Sequence, residues 1–194
     1  MRLYNSALSN NKNLNTKKII EECNYYKEKY FLIFKQDIIV DNLSKHYEQV
    51  DFFYADLPYP QGFKIFNSRA NIKDTRTYKD LMIAVKEKIL SMQKPVHLVL
   101  GKMSLKHLPE PQDIREIYLN KDKSFYAVWN SSLIEGKNTT ELCENFSRYY
   151  SCMGDFMCGF GQSALEFHVK KNGKVVASDF DTRALGVFKY RLQK

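Results

Sequence analysis

Cysteine is scarce and scattered in this sequence, at Cys23, Cys143, Cys152 and Cys158. Thiols so placed make no disulfide framework, and no CxxC or His/Cys pair has zinc spacing, so no structural metal is expected. Long apolar runs are also missing. None approaches the ~18 residues of a membrane-spanning helix, which excludes a spanning role. The opening MRLYNSALSNNKN carries no apolar stretch, so a secretory signal is not expected and the expected setting is the cytoplasm, with reduced thiols. His46, His97, His107 and His168 do not cluster and read as surface or packing residues. No GxGxxG turn occurs, which disfavours a nicotinamide-dependent dehydrogenase.

The rest is ordinary for a globular chain: 194 residues, 44% hydrophobic and 27% charged. At about 150 residues per domain, one domain is expected. Lys and Arg total 30 against 22 Asp and Glu, a net charge of +8. A basic surface attracts polyanions, nucleic acid foremost, although a solvated lysine-rich face reads the same way from charge alone.

Along the chain, NTKKIIEECNYYKEKY predicts a helix capped by Thr16, with Ile19, Ile20, Cys23 and Tyr26 on one side. YFLIFKQDIIV and VDFFYADLPYP read as strands, the second apolar enough to be buried on both faces and stopped by Pro58 and Pro60. NLSKHYEQ between them is a short helix-like stretch. TYKDLMIAVKEKILSMQ is the clearest helix, with Leu81, Ile83, Val85, Ile89 and Leu90 on one apolar stripe. VHLVLGK is a strand, MSLKHLPEPQDIREIYLNKDK is looser, and SFYAVWNSSLI reads as an antiparallel edge strand. NTTELCENFSRYY is a capped helix, MCGFGQSALEFHVKK a strand, glycine turn and helix, KVVASDFD a strand, and DTRALGVFKYRLQK a closing helix. Strands alternating with helices predict an α/β fold with a mostly parallel sheet.

Ligands in such sheets bind beyond the carboxyl ends of the strands, where four segments stand out. In GDFMCGFGQS, Gly159 and Gly161 sit in a strand-to-helix turn that lets backbone N–H groups approach a ligand, though a tight turn alone also explains them. Asp179 ends a strand at the offset where an acidic residue bonds ribose hydroxyls; a helix cap by Asp179 or Asp181 is the plainer alternative. In FFYADLPYP, an Asp, a carbonyl beside a fixed Pro and an aromatic ring stand in a row. A carboxylate and a carbonyl can accept both hydrogens of one amino group, and a Tyr can stack on a flat heterocycle, which suits the –NH2 of a nucleobase. Asp37, in IFKQDII, ends a strand and carries little signal by itself.

Together these pieces resemble the permuted (beta-group) S-adenosylmethionine (SAM)-dependent DNA amino-methyltransferases, which methylate adenine N6 or cytosine N4. In that group a DPPY-like motif precedes a DPFxGSGTT-like one. Here ADLPY occupies 55–59 and DFMCGFGQS 155–163, while GKVVASDFDTRALGVFKYRL is similar to the family's strand, acidic residue and closing helix. The resemblance covers 31–60 and 138–192. Leu57 replaces the family's first Pro, Phe156 and Met157 stand where Pro-Phe is usual, and Phe160 stands where a small residue is usual and would narrow the pocket.

The resemblance implies a Rossmann-like methyltransferase fold, a mostly parallel sheet with an antiparallel edge strand, in a single domain over 30–194 behind an N-terminal extension with one helix over 1–29. It implies that Asp56 and the carbonyl at Leu57 or Pro58 bond the target amino group and that Tyr59 stacks on the flipped base. Asp155, Phe156, Gly159 and Gly161 would surround the methionine half of SAM, Asp179 would hold its ribose, and Asp37 would meet its adenine amino group. The implied activity is methylation of adenine N6 in DNA, as in restriction–modification systems. RNA methylation of the same chemistry and a catalytically silent partner subunit are the alternatives. The basic surface would supply phosphate contacts, with Lys102, Lys106, Lys12, Lys17 and Lys18 as candidates. The stretch between the two motif blocks leaves little room for a target-reading domain, so a homodimer or a separate specificity partner is expected.

Overall fold

The computed structural model describes residues 29–69, 76–119 and 122–193. Five segments with apolar centres form parallel strands: β1 (Phe31–Lys35), β2 (Phe52–Asp56), β3 (Val96–Leu100), β6 (Cys152–Asp155) and β7 (Lys174–Asp179). Two more form a hairpin, β4 (Asp113–Leu119) and β5 (Asp122–Trp129). The sheet order is β1-β7-β6-β2-β3-β5-β4. β5 runs antiparallel to β3 and β4 antiparallel to β5; the other pairs are parallel.

Side chains alternate across this sheet with period two. Phe53 and Ala55 of β2 face a core with Leu81, Met82, Val85, Ile89, Val96 and Leu98. Phe52 and Tyr54 face the opposite core with Val99, Phe146, Met153, Phe167, Ala177 and Phe188. The first layer is covered by α2 (Tyr78–Ala84), which continues as one π turn (Val85–Ile89) and a 3-10 turn (Leu90–Met92). The second is covered by α4 (Thr139–Tyr149), α5 (Gln162–Lys171) and α6 (Thr182–Arg191). Each large side chain so buried contributes about 1.5–3 kcal/mol. Asn138 caps α4 by accepting from the Glu141 N–H, and Thr77 and Asp80 make a reciprocal capping box at α2.

Several expectations are corrected. The looser stretch after β3 holds a short helix, α3 (Lys102–Leu105), and the edge strand β4, so the edge is β4 and not SFYAVWNSSLI, whose strand β5 lies one place in. Pro60 does not only stop β2: it opens α1 (Pro60–Arg69), at the first helical position where a missing N–H costs nothing. Ile83 is 40% exposed and Met82 is buried in its place. The helix predicted from Thr16 onward, with Lys12, Lys17, Lys18 and the extension 1–29, lies outside the described residues except at Lys29 and Tyr30, which are helical.

Candidate functional site

The strand order reverses between β6 and β2: β7 and β1 follow on one side, β3, β5 and β4 on the other. Connections diverge at such a switch point and leave a crevice at the carboxyl ends. Phe52 and Phe53 pair with Met153 and Gly154, so Asp56 and Asp155 end neighbouring strands. Asp179 ends β7 next along, paired with Lys35 at the end of β1.

A cavity of about 700 Å³ opens at this rim. Its walls come from both motif blocks: Asp56, Leu57, Pro58 and Tyr59 after β2, Met157, Gly159 and Phe160 after β6, and Asp179, Phe180, Asp181, Arg183, Ala184 and Val187 from β7 and α6. Gly62 and Phe63 of α1 complete it. Phe160 does not plug the space; its ring is 60% exposed at the mouth.

The DLPY segment is held from its main chain. The Leu57 N–H donates to the Val99 carbonyl at 2.9 Å, a bond that proline could not make. The Leu57 side chain is buried in the core. The Tyr59 carbonyl accepts from Phe63 N–H at 2.8 Å to start α1, and Leu57 and Pro58 line the cavity just before it. The Asp56 side chain is open to the cavity, and among the described residues no group donates to it. Its walls still exclude enough water to push its carboxyl up to about 6.

The glycine turn is set from beneath. Gly161 has φ +75, and a Cβ there would lie 2.1 Å from the Phe188 ring. Gly159 has φ +49 and open space at its Cβ position, toward the cavity it lines. Both positive φ values favour glycine. Arg191 donates to the Phe160 carbonyl at 2.8 Å and to Gln162 Oε1 at 2.7 Å, which ties the turn to the end of α6.

Asp179 is not the cap of α6; that role falls to Asp181, which accepts from the Arg183 N–H. Asp179 accepts from Gly159 N–H at 2.8 Å and Asp181 N–H at 2.9 Å, so it joins the glycine turn to β7 and keeps acceptor capacity toward the cavity. Burial raises its carboxyl, against the lowering effect of those N–H groups. Asp155 is buried beneath. Desolvation first, then the nearby carboxylates of Asp179 and Asp56, raise it to about 8, although it accepts from Met157 N–H at 3.2 Å.

Four predicted positions stand off the cavity wall. Asp155 and Phe156 are buried, Phe156 in the core against Phe53. Gly161 shapes the turn without lining the space. Asp37 is the clearest departure: its carboxylate pairs with Arg76 and accepts from Ile39 N–H at 3.1 Å, so ion pairing across 39 residues holds it instead of a cavity-facing role. Lys102 and Lys106 are exposed on and just after α3. Among the described residues no three His, Cys, Asp or Glu side chains group as a metal would need. His97 is a core residue bonded to Tyr126, pushed down to about 3 by burial, and His168 meets the Gly173 carbonyl at 2.9 Å.

Sequence reasoning missed Gly62, Phe63, Met157, Phe180, Asp181, Arg183, Ala184 and Val187 as wall residues, and Arg191. Phe180, between Asp179 and Asp181, was the one signalled by position. Met157 lies in the turn after β6, and Arg183, Ala184, Val187 and Arg191 lie on α6, which no short motif marks.

No family model matches this sequence, and no curated protein matches it significantly. Solved structures do match its fold. M1.HpyAVI, in its complex with SAM, is 14% identical with a TM-score of 0.52, covering 84% of this chain and all (100%) of that one. TTHA0409 of Thermus thermophilus, described as a candidate DNA modification methylase, is 10% identical with a TM-score of 0.50, covering 82% and 93%. The fold is therefore the Rossmann-like methyltransferase fold, with a seven-stranded mostly parallel sheet.

Proposed function

We propose that this chain is a SAM-dependent methyltransferase of the permuted amino-methyltransferase kind, which methylates the N6 amino group of adenine in DNA. The observation that carries the reading is that one cavity is shared by Asp56, a carboxylate without a hydrogen-bond partner among the described residues, and by the glycine turn with Asp179. The fold likeness to M1.HpyAVI, itself crystallised with SAM, supports it.

The residues present fit the cofactor. About 700 Å³ lies within the range of ligand pockets. Gly159 leaves its backbone bare toward the cavity, and Asp179 retains acceptor sites for ribose hydroxyls. Met157, Phe180 and Val187 supply apolar wall. Asp37, engaged by Arg76, would need to share its carboxylate to meet an adenine amino group. When bound, SAM supplies a methyl group activated by the adjoining sulfonium.

The target amino nitrogen is a poor nucleophile because its lone pair is delocalised into the ring. Asp56 accepts one N–H and the carbonyl at Leu57 or Pro58 the other, which draws nitrogen toward tetrahedral geometry and localises the pair. Asp56 then stabilises the positive charge that grows there. Tyr59 offers its ring face to the base, which must leave the duplex to reach the rim. Positioning of this kind can supply about 7–11 kcal/mol. Lys102 and Lys106 are proposed to contact phosphate, and a second copy or a separate protein is proposed to read the target sequence.

The test is methyl transfer from labelled SAM to DNA and, in parallel, to RNA, by the full chain and by Asp56→Ala. Transfer to DNA that is lost in the variant is expected. Transfer that survives Asp56→Ala refutes the assigned chemistry.

A further inference from the structure

The Tyr59 ring, assigned above to base stacking, is not a free platform. Its hydroxyl shares a hydrogen bond with Ser124 Oγ, in which either group can donate. Ser124 lies 65 residues away on β5, and is fully buried. Tyr59 itself is 37% exposed. The ring edge is fixed from another side by Gly101, the residue after β3. A Cβ there would stand 2.7 Å from Tyr59 Cδ1 and 3.0 Å from Cε1. Real Cβ atoms do not come so close, so any side chain at 101 displaces the ring.

Gly101 is held in turn. It precedes α3, whose Ser104 is fully buried and shares a hydrogen bond of 2.6 Å with the Tyr78 hydroxyl. The antiparallel hairpin and the loop after β3 therefore grip opposite features of one ring, the hydroxyl and the edge. An aromatic side chain at a loop tip would otherwise sample more than one rotamer, and its partner would lose order with it.

We propose that Ser124 is a positioning residue for the transfer reaction, and that Gly101 is kept bare to admit the ring: together they hold Tyr59 at one angle over the Asp56 end of the cavity. The assignment rests on the reading of Tyr59 as the stacking residue. It gives the hairpin β4–β5 a part in the reaction that its sequence does not announce. Ser124 touches no reacting atom, so its effect falls on the turnover step and not on the cofactor.

The test is a double-mutant cycle in methyl transfer to DNA, with Ser124→Ala, Tyr59→Phe and the pair together in the full chain. Each single change removes the same bond and is expected to lower kcat about five- to tenfold, the range of one net hydrogen bond. KM for SAM and the affinity for S-adenosylhomocysteine, by calorimetry, are expected to hold within about twofold, since the cofactor side is untouched. The double variant is expected to be no slower than the slower single. Gly101→Ala displaces the ring from its other side and is expected to lower kcat at least as much, again with cofactor affinity retained. Wild-type kcat in Ser124→Ala, or losses that multiply in the pair, overturns the inference and leaves the proposed function standing. Absence of transfer by the unmodified chain overturns the proposed function, and the role of Ser124 with it.

Discussion

Replacing Asp56 by Asn separates the charge of this side chain from its shape. Asn keeps a carbonyl oxygen as acceptor but carries no charge to offset the positive charge that grows on the target nitrogen. Removing one preorganised electrostatic contact of this kind costs about 10²–10³ in kcat, or ~2.7–4 kcal/mol. Asp56 titrates at about 6 because its surroundings exclude water. In the proposed chemistry the reactive form is the ionised one, so about a tenth of the protein would be competent at pH 5 and about nine-tenths at pH 7. The rate is therefore expected to rise about tenfold over those two units and to level above them, and Asp56→Asn is expected to lose that rise. Stability moves the other way. A carboxyl raised from 3.8 to about 6 keeps its proton in the fold longer than in the unfolded chain, so the fold loses stability as pH climbs between those values. Asn carries no such penalty, and the variant is expected to melt at or above the wild-type temperature at pH 7 while turning over far more slowly. The assay is labelled-methyl transfer to DNA from pH 5 to 8 beside thermal melts. A variant within threefold of the wild-type rate, or a wild-type profile flat across pH 6, refutes the reasoning.

Other perturbations follow from the same geometry. Gly161→Ala forces a side chain onto the Phe188 ring at positive φ and is expected to cost about 3 kcal/mol or more by denaturant unfolding, whereas Gly159→Ala meets open space and is expected to cost about 1 kcal/mol while lowering cofactor affinity. Asp179→Ala removes the acceptor for Gly159 and Asp181 N–H and the proposed ribose contact; calorimetry is expected to show at least tenfold weaker binding of S-adenosylhomocysteine, and unchanged binding would remove Asp179 from the cofactor site. Asp155 sits at about 8 against its usual 3.8, so the wild-type fold is expected to lose stability as pH rises from about 4 to 8; Asp155→Asn keeps an acceptor for Met157 N–H and is expected to flatten that decline in melts at pH 5 and 8. A steeper decline in the Asn variant than in the wild type contradicts that reading of Asp155.

The strands that carry the site were legible because they are buried on both faces. FFYAD and VHLVL are nearly continuous apolar runs, and KVVASD has an apolar Val175–Ala177 centre between turn residues. The glycine turn and the acidic end of β7 were legible as residue types at a spacing. What escaped depends on partners distant in sequence. β4 faces water along most of its length, so DIREIYL shows polar residues where a buried strand would not, and the prolines before it hide its start. Pro60 reads equally as a stop or as the first residue of a helix, and only the Tyr59 carbonyl bonding Phe63 N–H decides it. Ile83 lies about 200° around the helix from Leu81, so the 3.6-residue period itself places it opposite Leu81, Val85 and Ile89; its apolar side chain, not its position, put it on the expected stripe. Asp37 carried little signal by itself and was implied only by the resemblance; its ion pair with Arg76 depends on a partner 39 residues away that no local pattern marks. Ser124 carries no signal at all until the Tyr59 hydroxyl is found against it.

The central claim is that the Asp56 and Gly159 loops form one site for transfer to a base amino group. Mass analysis of nucleosides digested from DNA incubated with the chain and SAM tests it most directly. N6-methyladenine is the expected product, absent when Asp56 is replaced by Ala. A methyl group found only on a ring carbon, or no methylated nucleoside under conditions where the chain binds S-adenosylhomocysteine, contradicts it.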